Sequence, residues 1–396
     1  MRVPKELIAV TKVWTNVYVK LGQTSSVLTE NERSFSSAVA GGLLRGGTSR
    51  ITISKANFLH NLSQWRRLVG PKVKIMAMVK ANAYGHGLAQ VAPIVAAGGA
   101  NWLGVNNLEE GLQLRQLGIK LPTLVLGYVP LQNLIQAVSA DLSLAVYNHA
   151  TVRVLPAGAK VHLKVETGTN RQGVEPQRVP NFINACRRRK IILEGIYTHF
   201  ASAEDETGFA KKQLAILAQV NLPNVLRHAA CSAAALCLPS SHLDMVRIGL
   251  GLYGLWSTKP QKINLKPVLS WQTTVAQVKT VSQGETVGYG RTWQACRRSA
   301  IAVLPVGYYD GYDRGLSNGG RVLVHGQFAP VIGRICMNMC MVDVTAIPNV
   351  RLEDEVVLLG RQGKNQVTAE ELAEKCGTIN YEIVSRLNPL IPRVVI

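Results

Sequence analysis

The feature that most constrains the fold of this chain is a regular alternation of short apolar runs with helical stretches. Eight runs are rich in β-branched and other apolar residues, and most are separated by segments of helical periodicity. They cover residues 73–79, 102–105, 123–127, 142–147, 160–166, 192–199, 224–229 and 244–248. Eight parallel strands with intervening helices form a closed barrel, so an α/β fold with a (β/α)8 TIM-type barrel is predicted.

The sequence changes character on both sides of this pattern. Residues 1–48 mix Ser, Thr, Asn and Gly with little periodicity, which predicts an N-terminal extension. Its basic and serine content resembles a transit peptide, but Glu6, Glu30 and Glu32 favour a flexible tail or a misassigned start. Residues 49–264 are assigned to the barrel, and residues 265–396 to a C-terminal mainly-β domain with strands near 268–280, 300–305, 320–324 and 330–335 and a helix near 368–375.

Composition excludes several protein classes. No apolar stretch approaches the length that crosses a bilayer, and the first residues lack a secretory pattern, so a cytoplasmic protein without membrane contact is expected. The seven cysteines are scattered and odd in number, which favours free thiols. Cys336 and Cys340 lack the clustered ligands of a zinc site, so no metal is expected.

The net charge of +20 is compatible with an anionic partner. The densest basic run, 187–190, has no interleaved aromatic residues and ends a predicted surface helix. We interpret it as a solvated face and expect no nucleic-acid binding, although the charge would also attract small anionic substrates.

Reactive or polar side chains stand at the carboxyl ends of five predicted strands. Lys80 follows the first strand, Lys164 and His199 end the fifth and sixth, Ser232 follows the seventh, and Arg247 ends the eighth. The carboxyl ends of barrel strands meet on one rim, where barrel enzymes bind their ligands. The sequence therefore predicts one active site at this rim.

Lys80 is the most reactive of these groups. The apolar run before it ends at the lysine, and a glycine-containing turn follows. A desolvated lysine there can lose its proton and form a Schiff base with a carbonyl such as that of pyridoxal phosphate. Taken alone, the same residue is also compatible with a strand-terminal lysine that extends to water.

The segment 79–87 reads VKANAYGHG and closely resembles the cofactor-lysine motif of alanine racemases. Further family-like segments follow in the family's order at 164–173, 197–201, 228–236, 245–247, 287–290, 307–308 and 333–337. The resemblance runs from about residue 50 to the C-terminus. It implies a fold-type III isomerase that binds pyridoxal 5'-phosphate through Lys80 and racemises alanine, supplying D-alanine for peptidoglycan.

The resemblance also implies a phosphate site near the last two barrel strands, formed by the Ser232 and Tyr84 hydroxyls and the amides of Gly249 and Leu250. In the family an arginine at the position of Arg247 faces the pyridine nitrogen. Because a guanidinium does not give up its proton, that nitrogen would stay unprotonated, which suits a racemase.

Racemisation needs two proton-transferring groups on opposite sides of the substrate. By resemblance they are Lys80 and Tyr289, and Tyr289 comes from the partner subunit of a homodimer with shared active sites. His199 and Arg247 would form a relay toward that tyrosine.

The substrate carboxylate would be oriented by Arg171 and the Met337 amide, with Tyr308 on the same face of the β domain. The family often carries the lysine at the position of Lys164 as a carbamate, an anion that can hold Arg171 in place.

The chain departs from the family pattern near the site. Glu166 stands for an aspartate, 169–170 reads Thr-Asn instead of Met-Gly, Cys231 replaces an asparagine, Asn338 replaces an aspartate, and the tail at 387–393 lacks the usual aromatic-arginine pair. The substrate entrance could therefore admit side chains larger than methyl. A broad-specificity racemase for serine or basic amino acids stays open as an alternative, as does a non-catalytic pyridoxal-phosphate-binding protein, which the β domain disfavours.

Overall fold

The computed structural model describes residues 47–204, 207–256 and 262–396. Most of the predicted N-terminal extension, residues 1–46, lies outside the described residues. A first strand, β1 (Ser49–Ile53), precedes eight parallel strands that form a closed barrel, which confirms the predicted barrel. These strands are β2 (Lys74–Met78), β3 (Trp102–Val105), β4 (Thr123–Val125), β5 (Ser143–Val146), β6 (Lys160–Lys164), β7 (Ile192–Tyr197), β8 (Leu226–His228) and β9 (Met245–Ile248).

The barrel closes through the pairing of β9 with β2, where Arg247 lies opposite Met76. The α-helices of this part are α1 (Lys55–Val69), α2 (Leu88–Ala97), α3 (Leu108–Gln116), α4 (Leu134–Ser139), α5 (His149–Val154), α6 (Val179–Arg188), α7 (Thr207–Ala218) and α8 (Ser232–Cys237). Side-chain oxygens of Ser54, Asn107 and Asn148 accept backbone hydrogen bonds at the starts of α1, α3 and α5. These caps fix where each strand-to-helix loop ends.

The C-terminal part is mainly β, as predicted. Its strands are β10 (Leu269–Thr274), β11 (Gln277–Val281), β12 (Thr286–Val287), β13 (Trp293–Gln294), β14 (Ser299–Leu304), β15 (Arg321–Val324), β16 (Gln327–Ile332), β17 (Cys340–Asp343), β18 (Glu355–Gln362), β19 (Asn365–Val367) and β20 (Arg393–Val395), with helices α9 (Ala369–Cys376) and α10 (Asn380–Ser385). One sheet has the strand order β11-β14-β17-β16-β15-β18-β10-β1-β20, and β12 pairs with β13.

Strand β1 does not belong to the barrel, although the sequence assigned residues 49–264 to it. It pairs antiparallel with β10 and parallel with β20. Its fully buried Ile51 and Ile53 alternate with the exposed Arg50 and the half-buried Thr52, which is typical of a strand with one buried face. The C-terminal sheet therefore includes a strand that precedes the barrel in the chain.

Helix α1 follows β1 and packs against the loop that comes after β9. The Asn61 amide donates hydrogen bonds to the carbonyls of Leu252 (3.0 Å) and Lys266 (2.8 Å). A Cβ atom at Gly251 would lie 2.3 Å from the ring of Trp65, so only glycine lets the loop after β9 lie against this helix. Helix α1 thereby holds the loop after β9 in place.

All seven cysteines are free. No helix within the described ranges is both long and apolar enough to cross a membrane.

Candidate active site

A cavity of about 550 Å³ opens at the carboxyl ends of the barrel strands. Its volume lies in the range of small-molecule sites. The structure brings nine of the predicted site residues together around it: Lys80, Tyr84, Lys164, Arg171, His199, Ser232, Arg247, Gly249 and Leu250. Three others, Tyr289, Tyr308 and Met337, do not line it.

Lys80 stands where β2 ends and begins a short helical turn, Lys80–Tyr84. Within that turn Ala81, Asn82 and Ala83 have φ angles of 52–53°, so the backbone winds left-handed. Such a turn costs about 1–2 kcal/mol per residue for side chains larger than glycine. The surrounding contacts therefore have to stabilise it.

Hydrogen bonds and one close approach hold the turn. The Asn82 side chain accepts from the Leu88 amide at 2.8 Å, and the Arg393 guanidinium donates to the Gly85 carbonyl at 3.0 and 3.1 Å. A Cβ atom at Gly85 would lie 1.8 Å from the carbonyl oxygen of Val384 in α10. The glycine of the motif thus lets the lysine turn contact the C-terminal domain.

The electrostatic environment favours a neutral Lys80 amine. Burial lowers the pKa of Lys80, and the positive charges of Arg171 and Arg247 lower it further, against an opposing effect of Glu110. A lysine with a lowered pKa is a better nucleophile at neutral pH.

Polar groups converge at the end of the cavity near β9. The Ser232 hydroxyl accepts from the Gly249 amide at 3.1 Å and from the Gly251 amide at 3.5 Å. Leu250 begins a short 3-10 turn, so its amide has no acceptor within that turn. The Tyr84 hydroxyl reaches so close to Gly249 that a Cβ atom there would lie 2.4 Å from it. Hydroxyl and amide donors in this arrangement suit a phosphate group.

Arg247 lines the cavity, is buried, and makes hydrogen bonds to four different groups. One terminal nitrogen donates to His228 Nδ1 at 2.7 Å. The other donates to the carbonyls of Thr198 and Ala229 at 2.8 Å and to His199 Nδ1 at 3.0 Å. Its Nε–H makes no hydrogen bond to any residue that the structure describes. The guanidinium is thus fixed with a donor to spare beside the cavity.

The contact with Arg247 determines the tautomer of His199. A guanidinium has only donors, so His199 Nδ1 must accept and its proton lies on Nε2. Burial and the neighbouring Arg247 hold the pKa of His199 well below its usual range. His199 is therefore a neutral imidazole that can donate from Nε2.

Lys164 ends β6 and is nearly buried. Its amine lies 3.4 Å from Gln172 Oε1, and the Gln172 amide donates to the Tyr147 hydroxyl at 3.0 Å. Burial and the charge of Arg171 lower the pKa of Lys164 to about 8. The lowered pKa raises the fraction of the neutral Lys164 amine, which is the form that reacts with carbon dioxide.

The loop that carries Arg171 folds around Glu166. Burial alone would raise the pKa of Glu166, but backbone amides of residues 168–171 outweigh it and the pKa is lowered. The Gly168 amide donates to Glu166 Oε1 at 2.6 Å, and the Thr169 hydroxyl donates to the His199 carbonyl at 2.5 Å. Two of the departures from the family pattern are thus built into the loop.

Tyr289, Tyr308 and Met337 lie on the surface of the β domain. Their exposed fractions are 72%, 43% and 55%. The neighbouring Tyr309 and Met339 are also exposed. Exposed aromatic and methionine side chains in one region are typical of a surface that binds another protein.

Sequence reasoning missed several residues that line the cavity, among them Tyr381, Gln172 and Tyr197. Tyr381 comes from α10, which was not predicted, and its ring lies 6.1 Å from that of Tyr84. Gln172 stands next to the predicted Arg171. Tyr197 is buried, with a hydroxyl that makes no hydrogen bond to a described residue. Its place at the start of the segment 197–201 was the one available signal.

The fold and the site define a barrel enzyme whose active centre lies at the rim and whose C-terminal domain is mainly β. The alanine racemase N-terminal domain family matches residues 53–257, and the alanine racemase C-terminal domain family matches residues 268–395. The chain therefore belongs to the alanine racemase family.

Individual relatives agree with this assignment. The chain is 39% identical over 365 residues to alanine racemase 1 of Caldanaerobacter subterraneus subsp. tengcongensis, covering 87% of this chain and 94% of that protein. It is 42% identical over 355 residues to the alanine racemase of Syntrophobacter fumaroxidans, covering 85% and 94%.

Solved structures give the same result. The alanine racemase of Clostridium difficile 630 superposes with a TM-score of 0.83 at 31% identity, covering 88% of this chain and 96% of that one. The alanine racemase of Bacillus anthracis with bound L-Ala-P superposes with a TM-score of 0.82 at 34% identity, covering 88% and 95%.

Proposed function

We propose that this protein is a pyridoxal-phosphate-dependent racemase that interconverts L-alanine and D-alanine. The observation that carries the proposal is the convergence of Lys80, Arg247 and the Ser232–Gly249 region on one cavity. An amine with a lowered pKa, a fixed cationic donor and a cluster of hydroxyl and amide groups match the carbonyl, the ring nitrogen and the phosphate of this cofactor.

Different residues would hold the two ends of the cofactor. Lys80 would hold it covalently, while Ser232, Tyr84 and the amides of Gly249 and Leu250 would bind its phosphate. When bound, the cofactor supplies an electron-withdrawing ring that stabilises negative charge at the substrate's α carbon. The Nε–H of Arg247 would donate to the ring nitrogen. Because Arg247 keeps its proton, that nitrogen would remain an acceptor.

Two groups would exchange the α-proton from opposite faces. Lys80 is the first, since its lowered pKa favours the neutral amine that accepts a proton. Tyr289 of the partner subunit is the second. Its exposed position, outside the cavity of its own chain, supports a role in a neighbouring site. The Nε2–H of His199 can donate to the phenolate that forms when Tyr289 gives up its proton.

The same reasoning supports a homodimer with two shared sites. An exposed region of the β domain contains Tyr289, Tyr308, Tyr309, Met337 and Met339. In the dimer, this region of one subunit would lie against the cavity of the other. There, the Met337 amide and Arg171 would orient the substrate carboxylate, with Tyr308 beside them. A carbamate on Lys164 would turn the neighbour of Arg171 from a cation into an anion and so hold the guanidinium in place.

The physiological role would be the supply of D-alanine for peptidoglycan in the cytoplasm. Substrate breadth depends on the entrance, where Asn338 and the tail at 387–393 depart from the family pattern. A broad-specificity racemase is the second candidate, since these changes remove charge and bulk from the entrance.

Reduction of the protein with borohydride after incubation with pyridoxal phosphate, followed by peptide mapping, tests the cofactor assignment. Label on Lys80 is expected, and label on another lysine would overturn the scheme. A racemisation assay over an amino-acid panel tests the substrate: alanine should be turned over fastest, and a preference for serine or lysine would favour the second candidate. A Tyr289→Phe variant should bind the cofactor normally and lose most activity.

A further inference from the structure

Behind Arg247, a line of buried polar side chains runs through the barrel interior. His228 Nδ1 contacts the guanidinium at 2.7 Å, and His228 Nε2 lies 2.8 Å from His162 Nδ1. His162 Nε2 lies 3.7 Å from Glu194 Oε2, beyond hydrogen-bond distance, and makes no hydrogen bond to a described residue. The Ser143 hydroxyl donates to the same carboxylate oxygen at 2.5 Å. Both histidines are fully buried.

The line connects the two ends of the barrel. Arg247 and His228 stand near the carboxyl ends of β9 and β8, next to the cavity. His162 lies in the middle of β6, and Ser143 is the first residue of β5, at the opposite end. Lys160 at the start of β6 also acts on the Glu194 carboxylate electrostatically. Glu194 is the only member of the line with substantial exposure, at 26% of its side chain.

The hydrogen bonds can have only one direction. Arginine has no acceptor, so His228 Nδ1 accepts and its single proton lies on Nε2. That proton is donated to His162 Nδ1, which places the proton of His162 on Nε2, toward Glu194. A second proton on either ring would set two donors against each other. Burial lowers the pKa of both histidines, in agreement with two neutral rings.

The packing around His162 is specific to this arrangement. Gly195 lies opposite His162 in the β6–β7 ladder, and a Cβ atom there would lie 2.2 Å from His162 Nδ1. The ring also packs edge-on against Trp102 at 5.2 Å, and the His228 ring stacks on Tyr197 at 4.8 Å. The interior is therefore shaped to hold two imidazole rings in contact.

We propose that His162 and Glu194 are positioning residues for the proposed racemase: the Glu194 carboxylate stabilises the tautomers of His162 and His228 that let His228 accept from Arg247, and this contact holds the guanidinium beside the cavity. No carboxylate forms an ion pair with Arg247 among the described residues. Arg247 sets the direction of the hydrogen bonds from one end of the line, and the charge of Glu194 at the other end favours the same tautomer of His162, with its proton on Nε2. If the carboxylate is removed, the Nε2-protonated tautomer of His162 loses the charge that favours it, and the Nδ1-protonated tautomer, which presents a donor to His228, becomes more populated.

Replacement of Glu194 by leucine tests this inference, with Glu194→Gln as the conservative variant and Glu175→Gln, an exposed glutamate in a surface ion pair with Arg178, as the control. The readout is the ¹⁵N NMR spectrum of the eight histidines in the protein without cofactor. In wild type, His162 and His228 should both be neutral with protonated Nε2. Glu194→Leu should mix their tautomers, whereas Glu194→Gln keeps an acceptor and should preserve them.

The inference rests on the proposed function only for its kinetic readout. Glu194→Leu should lower kcat about tenfold, the lower end of the effect of an outer-shell partner, with KM for alanine changed less than about twofold. Glu194→Gln should restore most of kcat. If the wild-type protein has the expected tautomers but does not racemise alanine, the proposed function is refuted and the inference about Glu194 stands.

Unchanged tautomers and kcat in Glu194→Leu would overturn the inference. If that variant does not fold, Gly195→Ala takes its place, since the added Cβ displaces the His162 ring without removing a polar group. It should mix the tautomers in the same way, and a wild-type histidine spectrum in Gly195→Ala would overturn the inference equally.

Discussion

Replacement of Arg247 by lysine should destabilise the protein although the charge is kept. The guanidinium makes four hydrogen bonds, to two carbonyls and two imidazole nitrogens that converge on it from different directions. A lysine ammonium has three donors on a single nitrogen, so at least one buried acceptor loses its partner.

The magnitude follows from the number of bonds lost. A hydrogen bond to a charged group contributes about 1.5–3 kcal/mol. Loss of one such bond lowers the free energy of unfolding by about 1.5–3 kcal/mol, and loss of two by about twice as much. The carbonyls of Thr198 and Ala229 and the Nδ1 of His199 share one guanidinium nitrogen, which favours loss of the His228 contact first.

Urea unfolding of the cofactor-free protein measures this loss, with Arg178→Lys as the control. Arg178 forms an exposed ion pair with Glu175 at 2.9 Å, and its replacement should change stability by less than about 0.5 kcal/mol. Pyridoxal phosphate titration by absorbance gives a second readout, in which only Arg247→Lys should weaken binding. Equal stability of the two variants would refute the account of Arg247 as a multiply anchored donor.

Three further predictions concern the turn, the phosphate region and Lys164. Gly249→Ala places a methyl group against the Tyr84 hydroxyl and should weaken pyridoxal phosphate binding by about 1–3 kcal/mol, with partial recovery when Tyr84→Phe is added; an unchanged absorbance titration would contradict it. Gly85→Ala should cost at least about 2 kcal/mol more in urea unfolding than Gly70→Ala, since both have positive φ but only Gly85 meets a backbone carbonyl; equal losses would contradict the close approach. For Lys164, the folded pKa of about 8 lies below the unfolded value of 10.5, so the unfolded state binds more protons between these pH values and stability rises with pH there. Lys164→Met in bicarbonate-free buffer should lose that rise, which pH-dependent urea midpoints would detect.

Periodicity predicted the barrel because most of its strands are buried on both faces and read as apolar runs. The observed bounds of β2 to β9 all fall within the predicted runs. The assignment of β1 was wrong because its partners, β10 and β20, lie more than 200 residues away and a strand's sequence does not name its partner. Helix α10 was missed because it is a short helix stabilised by tertiary contacts rather than by a long apolar pattern.

The rim residues could be predicted because the carboxyl ends of all barrel strands face one site. A position at the end of a strand was therefore enough to place a residue at the rim. Tyr381 could not, because it reaches the cavity from the C-terminal domain. His162 and Glu194 lie within strands, where a polar residue gives no sign of its neighbours. Their alignment with His228 and Arg247 depends on strand register and on the space beside Gly195.

The sharing of each active site between two subunits is the central claim, and complementation between two inactive variants tests it most directly. Chains carrying Lys80→Ala or Tyr289→Phe are co-expressed, and dimers that contain one of each are isolated. If Tyr289 serves the partner's site, such a dimer has one intact site and one doubly altered site, so about half of the wild-type racemase activity should return. Activity no higher than that of the two parent variants would contradict the account.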